Sequence, residues 1–170
     1  MKNRALLMSA SSEKSFCNWL YGLQTKFVSR KFLETCEDLN VKFRAVPLKF
    51  VVRKKRVEKE YFMFLPVDHL PLLNKDSSTF SEARNVDSGE LLMNKIYPDQ
   101  VIYNNITKFV TSNSEFPHLF KCTEILQLVC TREFMQLATE RNLKCIDFIP
   151  IDGDFKYDAW GVSTRSANKV

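Results

Sequence analysis

Two stretches decide the fold: residues 26–52, KFVSRKFLETCEDLNVKFRAVPLKFVV, and residues 126–151, LQLVCTREFMQLATERNLKCIDFIPI. In the first, Lys26, Phe27 and Val28 read as a short strand. Ser29 follows as a helix N-cap, a residue whose hydroxyl can accept an orphan amide of the first turn. Val28 before the cap and Leu33 in the first turn make a hydrophobic staple. Phe32, Leu33, Cys36 and Leu39 fall on one helical stripe, and Asn40 is a left-handed stop. Val41 to Val52 is extended again, rich in β-branched and aromatic residues, with a break expected at Pro47.

The second stretch repeats the design. Leu126 to Cys130 reads as a strand, Thr131 as the N-cap, and Cys130 with Met135 as the staple. Phe134, Met135, Ala138 and Arg141 form the stripe, Asn142 the stop, and Leu143 to Ile151 a strand ending at a proline. Aligning Ser29 with Thr131, an offset of 102, pairs Arg30 with Arg132, Phe32 with Phe134, Asn40 with Asn142 and Lys42 with Lys144. One inserted residue then brings Pro47 onto Pro150. These matches suggest an internal duplication relating residues 26–48 and 128–151. The expected class is α+β: mixed sheets, few helices, and two similar strand–helix–strand units joined by a hairpin-rich middle.

The middle is read more coarsely. Lys49 to Val52 and Glu60 to Val67 are expected to pair as a hairpin around the loop 53–59. Residues 76–89 read as a polar loop. Leu91 to Ile96, Gln100 to Tyr103 and His118 to Cys122 are short strand candidates, with Asn104, Asn105 and residues 112–114 as loop punctuation. Residues 1–24 read as a lead-in, in which Ser15 to Tyr21 covers the edge of the core. Residues 25–160 form a single domain, and 161–170 a loose tail.

The chain has 170 residues, 45% apolar and 26% charged, which suits one globular domain with a sizeable core. Its four glycines are scattered, which excludes the glycine-rich phosphate cradles of nucleotide-binding proteins. The net charge of +5 is mildly basic and does not by itself demand nucleic acid. Five cysteines lie apart with no CxxC spacing, a pattern suited to a reducing compartment. The apolar run Ala5 to Met8 is too short for a secretory core, and no stretch has the length of a membrane helix. The expected location is cytoplasmic.

Catalytic and metal-binding readings find little to build on. His69 and His118 lack metal-ligand spacing, so no metal or cofactor is expected. Cys130, just before a helix N-terminus, is the one thiol placed where its pKa could fall, but its staple role explains it equally well. Asp152-Gly153-Asp154 lacks the rest of a calcium loop and reads as a turn. No catalytic residue is assigned. The most visible surface feature is the basic run Arg53, Lys54, Lys55 and Arg56, followed by Lys59, on a hairpin loop. It reads as a solvated loop that blunts aggregation between two apolar strands, and it is the candidate partner-binding site, able to steer an acidic protein surface or, as the alternative, to grip nucleic acid as an accessory domain.

Four stretches carry a family resemblance: Phe27 to Leu33; Tyr61 to Ser78, with Asp68, Asp76 and Ser77; His118 to Lys121; and Asn142 to Ile151. Over residues 25–151 they resemble the bacterial immunity proteins of polymorphic toxin systems, immunity protein family eleven and its relatives. The resemblance implies a non-enzymatic antitoxin that binds a cognate toxin, encoded by the adjacent gene, and occludes its active site. It implies protein–protein recognition without a cofactor, a membrane or nucleic acid, and allows a homodimer.

Overall fold

Alternating apolar residues dominate this sequence, so strands carry most of the core, and the two runs with a 3.6-residue stripe supply the helices. The computed structural model describes residues 5–10, 26–49, 51–52, 55–56, 59–112 and 115–159. In chain order these form β1 (Leu6–Ala10), β2 (Lys26–Ser29), α1 (Arg30–Asp38), β3 (Phe43–Leu48), β4 (Val51–Val52), β5 (Lys55–Arg56) and β6 (Tyr61–Pro66). There follow β7 (His69–Leu70), β8 (Thr79–Glu82), β9 (Tyr103–Lys108), β10 (Leu119–Cys122), β11 (Gln127–Cys130), α2 (Arg132–Glu140), β12 (Ile146–Pro150) and β13 (Tyr157–Asp158). The fold is α+β. A central sheet has the order β12-β1-β11-β10-β7, a lateral sheet β2-β6-β3, and a cover sheet β13-β9-β8, while β4 and β5 make a two-stranded ribbon.

The two strand–helix–strand units have the same topology. Strands β2 and β3 flank β6, both antiparallel to it, as β11 and β12 flank β1. Register agrees as well: Phe62 faces Val28 on one side and Pro47 on the other, and Leu6 faces Cys130 and Pro150. Both helices end on left-handed asparagines, Asn40 at φ 53° and Asn142 at φ 52°. The same closing bonds follow, from Val41 N to Cys36 O and from Leu143 N to Ala138 O, each 2.9 Å. Cys145, at φ 65°, takes up the one extra residue between the second helix and its strand. Phe32 and Phe134 touch edge to face with centroids 5.8 Å apart. Contact between residues in matching positions is what a local two-fold axis produces.

Strand alternation makes the central sheet the middle layer. Leu6, Met8, Leu119, Leu128 and Cys130 face the core shared with α1, α2 and the lateral sheet, including Phe32, Phe62, Phe64 and Phe134. Phe120, Cys122 and Val129 face the opposite way, into a second core closed by Tyr103, Ile106, Phe109 and Phe155. Arg141 ties the helices together, bonding Asp38 and donating to Thr35 Oγ1 at 3.3 Å.

Several local expectations need correction. Leu6–Ala10 is no lead-in but a strand paired on both sides; a short run of buried apolar residues gives no alternation to betray it. Pro47 does not break β3, because β3 is the outer strand of its sheet and can do without one ladder donor. Strand β6 pairs with β3 and β2, and Val51–Val52 pair instead with Lys55–Arg56. Thr79–Glu82 is a strand inside the expected polar loop, paired with β9, and Asn104 and Asn105 lie within β9 itself. Buried Tyr103 and Ile106 anchor β9, which the asparagines between them obscured. Ser29 has the extended backbone of an N-cap but its hydroxyl makes no capping bond, whereas Thr131 accepts from Phe134 N. Residues 15–21 and 161–170 lie outside the described residues.

Candidate protein-binding surface

The groups with chemical potential are engaged in the fold. Cys130 is fully buried, and burial pushes its thiol up, overriding any effect of the helix N-terminus beside it. Cys36 is pushed up to about 12, by burial first and by Glu37 second. Cys122 is raised well above its ordinary value by burial and then by Glu124. Glu124 is itself buried and accepts from Leu72 N and Leu73 N, each at 2.9 Å, and from Cys122 Sγ at 3.1 Å. It is a clasp between the β10–β11 turn and the chain after β7.

The histidines have local work. His118 Nδ1 lies 2.8 Å from Thr131 Oγ1, the N-cap of α2. The Glu133 carboxyl, at the start of α2, sits below the usual range, held there first by a backbone N–H and then by its surroundings of Thr131, His118 and Arg132. His69 Nε2 lies 3.1 Å from Pro66 O, and Nδ1 lies 2.9 Å from Tyr97 Oη. Asp152 Oδ1 accepts from Asp154 N, as in an ordinary turn. Among the described residues no three His, Cys, Asp or Glu side chains converge as a metal site would require. No described helix is long and apolar enough to cross a membrane.

The basic run is divided by the fold. Lys55 and Arg56 form β5, at the far end of the hairpin that begins with β3 and β6. Lys59 is exposed where the chain re-enters β6. Arg53 and Lys54 lie outside the described residues.

A surface that sequence reading missed is the arm formed by residues 83–102. Its backbone closes a triangle: Ala83 N donates to Ile102 O at 2.7 Å, Ile102 N to Leu92 O at 2.9 Å, and Leu92 N to Ala83 O at 2.9 Å. Side chains of two asparagines fold its tips. Asn85 Oδ1 accepts from Asp87 N and Ser88 N, and Asn94 Oδ1 from Ile96 N and Tyr97 N. Asn74 does the same for Asp76 and Ser77. The recurrence Asn74-Lys75-Asp76-Ser77, Asn85-Val86-Asp87-Ser88, Asn94-Lys95-Ile96-Tyr97 was the available signal, since asparagine bonding two residues onward is a turn-former. Gly89 at φ 72° lets the Asn85 turn close.

This arm holds apolar side chains out in solvent. Val86 is 98% exposed and Ile96 63%, and Leu91, Leu92, Met93 and Ile102 are also exposed. These are six of the ten exposed large hydrophobics among the described residues. Scattered exposed apolar residues need no explanation, but a concentration on one braced element is a candidate interaction surface. No protein-family model matches the chain, and no curated protein matches its sequence.

Proposed function

We propose that this chain is a non-catalytic immunity protein that binds a cognate toxin and occludes its active site. The observation carrying the proposal is the braced arm 83–102, with its six exposed apolar side chains. Burying one such side chain against a partner is worth about 1.5–3 kcal/mol, and the hydrogen-bonded triangle reduces the entropy lost when the arm docks. The resemblance of Phe27–Leu33, Tyr61–Ser78, His118–Lys121 and Asn142–Ile151 to immunity proteins supports the same reading. Cys36, Cys122, Cys130, Glu124 and His118 are bound into packing and capping, which is how a scaffold for recognition uses them.

The test is co-expression with the protein encoded by the adjacent gene. Relief of toxicity and a complex on size-exclusion chromatography are expected. The Met93→Asp/Ile96→Asp variant is expected to keep its melting temperature and lose both. Unchanged toxicity with no complex overturns the proposal. Steeply salt-dependent binding of RNA or DNA, lost on neutralising Lys55 and Arg56, favours the accessory-domain alternative instead.

A further inference from the structure

The two repeated units end in matching edge strands, β3 and β12. Val67 N donates to Lys42 O and Ile151 N to Ala5 O, each at 3.0 Å. With the antiparallel registers of β3 on β6 and of β12 on β1, these bonds fix which peptide groups point inward. Phe43, Ala45 and Pro47 turn theirs to the outer edge of the lateral sheet, and Ile146, Phe148 and Pro150 turn theirs to the outer edge of the central sheet. Among the described residues no strand pairs with either edge. Proline has no N–H, so the donors on the central edge are Ile146 and Phe148, while Pro150 still offers its carbonyl.

We propose that β12 pairs with β12 of a second copy of this chain, antiparallel about a two-fold at Phe148, so that two central sheets join into one. In that register each Phe148 N–H donates to the other copy's Phe148 carbonyl, and each Ile146 N–H to the other copy's Pro150 carbonyl. Every outward donor of both strands is then used. An axis at Asp147 would also use them, but it sets Asp147 directly against Asp147, which like charge opposes. With the axis at Phe148, Asp147 instead meets exposed Ile149, and the two copies' Ile149 side chains lie diagonally across from each other. The strand ends agree in charge. Exposed Lys144, just before β12, comes to the end where exposed Asp152 and Asp154 follow β12 of the other copy. Charge also separates this edge from its counterpart. A two-fold at Ala45 would gather Lys42, Arg44 and Lys49 of both copies along one seam, and residues 41–49 hold no carboxylate to offset them. The β12 edge is distinct from the arm 83–102 and does not depend on the proposed toxin.

The test is sedimentation equilibrium of the full chain, with amide hydrogen exchange followed over a concentration series. A dimer is expected, and the Ile146 and Phe148 amides gain protection as concentration rises while those of Phe43 and Ala45 do not. Ile149→Asp, at an exposed position, sets a second carboxylate against Asp147 and is expected to weaken the dimer at least about tenfold. Ile149→Lys at the same position is expected to keep the dimer, and Asp147→Lys/Ile149→Asp to restore it. The proposal is overturned if the chain stays monomeric at millimolar concentration, or if protection of Ile146 and Phe148 does not change with concentration. It is also overturned if the gain in protection falls on Phe43 and Ala45 instead, or if Ile149→Asp and Ile149→Lys weaken the dimer equally.

Discussion

Replacing Glu124 by methionine tests whether the buried clasp holds the chain after β7 to the β10–β11 turn. The substitution removes the acceptor for Leu72 N and Leu73 N, whose residues are 1% and 8% exposed, so neither amide gains water in exchange. A buried N–H left without a partner costs about 1–3 kcal/mol, so two cost about 2 kcal/mol at the low end. That is a large share of the roughly 5–15 kcal/mol that holds a domain of this size folded. With a urea slope of about 2 kcal/mol/M, the midpoint should fall by at least about 1 M. Glutamine at the same position separates hydrogen bonding from bulk. Oε1 accepts from both amides at 2.9 Å, while Oε2 lies 3.1 Å from Leu72 N and 3.1 Å from Cys122 Sγ. An amide with its oxygen at the Oε1 position therefore keeps both backbone bonds and turns its NH₂ toward the thiol, a weak acceptor. Urea unfolding followed by fluorescence is expected to rank the proteins wild type, Glu124→Gln, Glu124→Met. A methionine variant within about 1 kcal/mol of wild type, or a glutamine variant as unstable as the methionine one, would refute the reasoning.

Three further outcomes follow from the same structure. Asn40→Ala and Asn142→Ala should each destabilise by about 1 kcal/mol, since both asparagines hold φ near +50° and alanine tolerates that poorly; thermal melts showing only one of them sensitive would break the equivalence of the two turns. Glu133 has its folded pKa below the unfolded one, so its contribution is present above the unfolded carboxyl range and disappears as pH falls through the folded value. Glu133→Gln should accordingly cost about 0.5 kcal/mol near neutral pH, the small size expected of an exposed helix N-terminal charge, and nothing in strong acid; melting curves at both pH values check this. Iodoacetamide at pH 8 should modify Cys145 in the native protein before Cys36, Cys122 or Cys130, because those three thiols are buried and raised in pKa; peptide mapping that finds Cys130 modified first contradicts the assignment.

Local physics wrote the two repeated units into the sequence plainly. Cap residues, apolar stripes and the asparagine stops at Asn40 and Asn142 act within a few residues of one another, so residue order suffices to place α1 and α2. Pro47 reads as a break and Pro150 as a strand end, and only the sheet order shows that each lies on an outer strand, where a missing ladder donor is tolerated. The strands that escaped notice, β1, β8 and β9, owe their identity to partners far along the chain. Leu6 becomes a strand residue by lying between Cys130 and Pro150, and Thr79–Glu82 by meeting residues 103–108. Which apolar residues remain in solvent is decided at the same long range. Val86 and Ile96 look like any core residue in the sequence, and only the folded course of the arm leaves them in solvent. Sequence fixes the capping chemistry because capping is local; tertiary structure fixes the surface because burial depends on every layer at once.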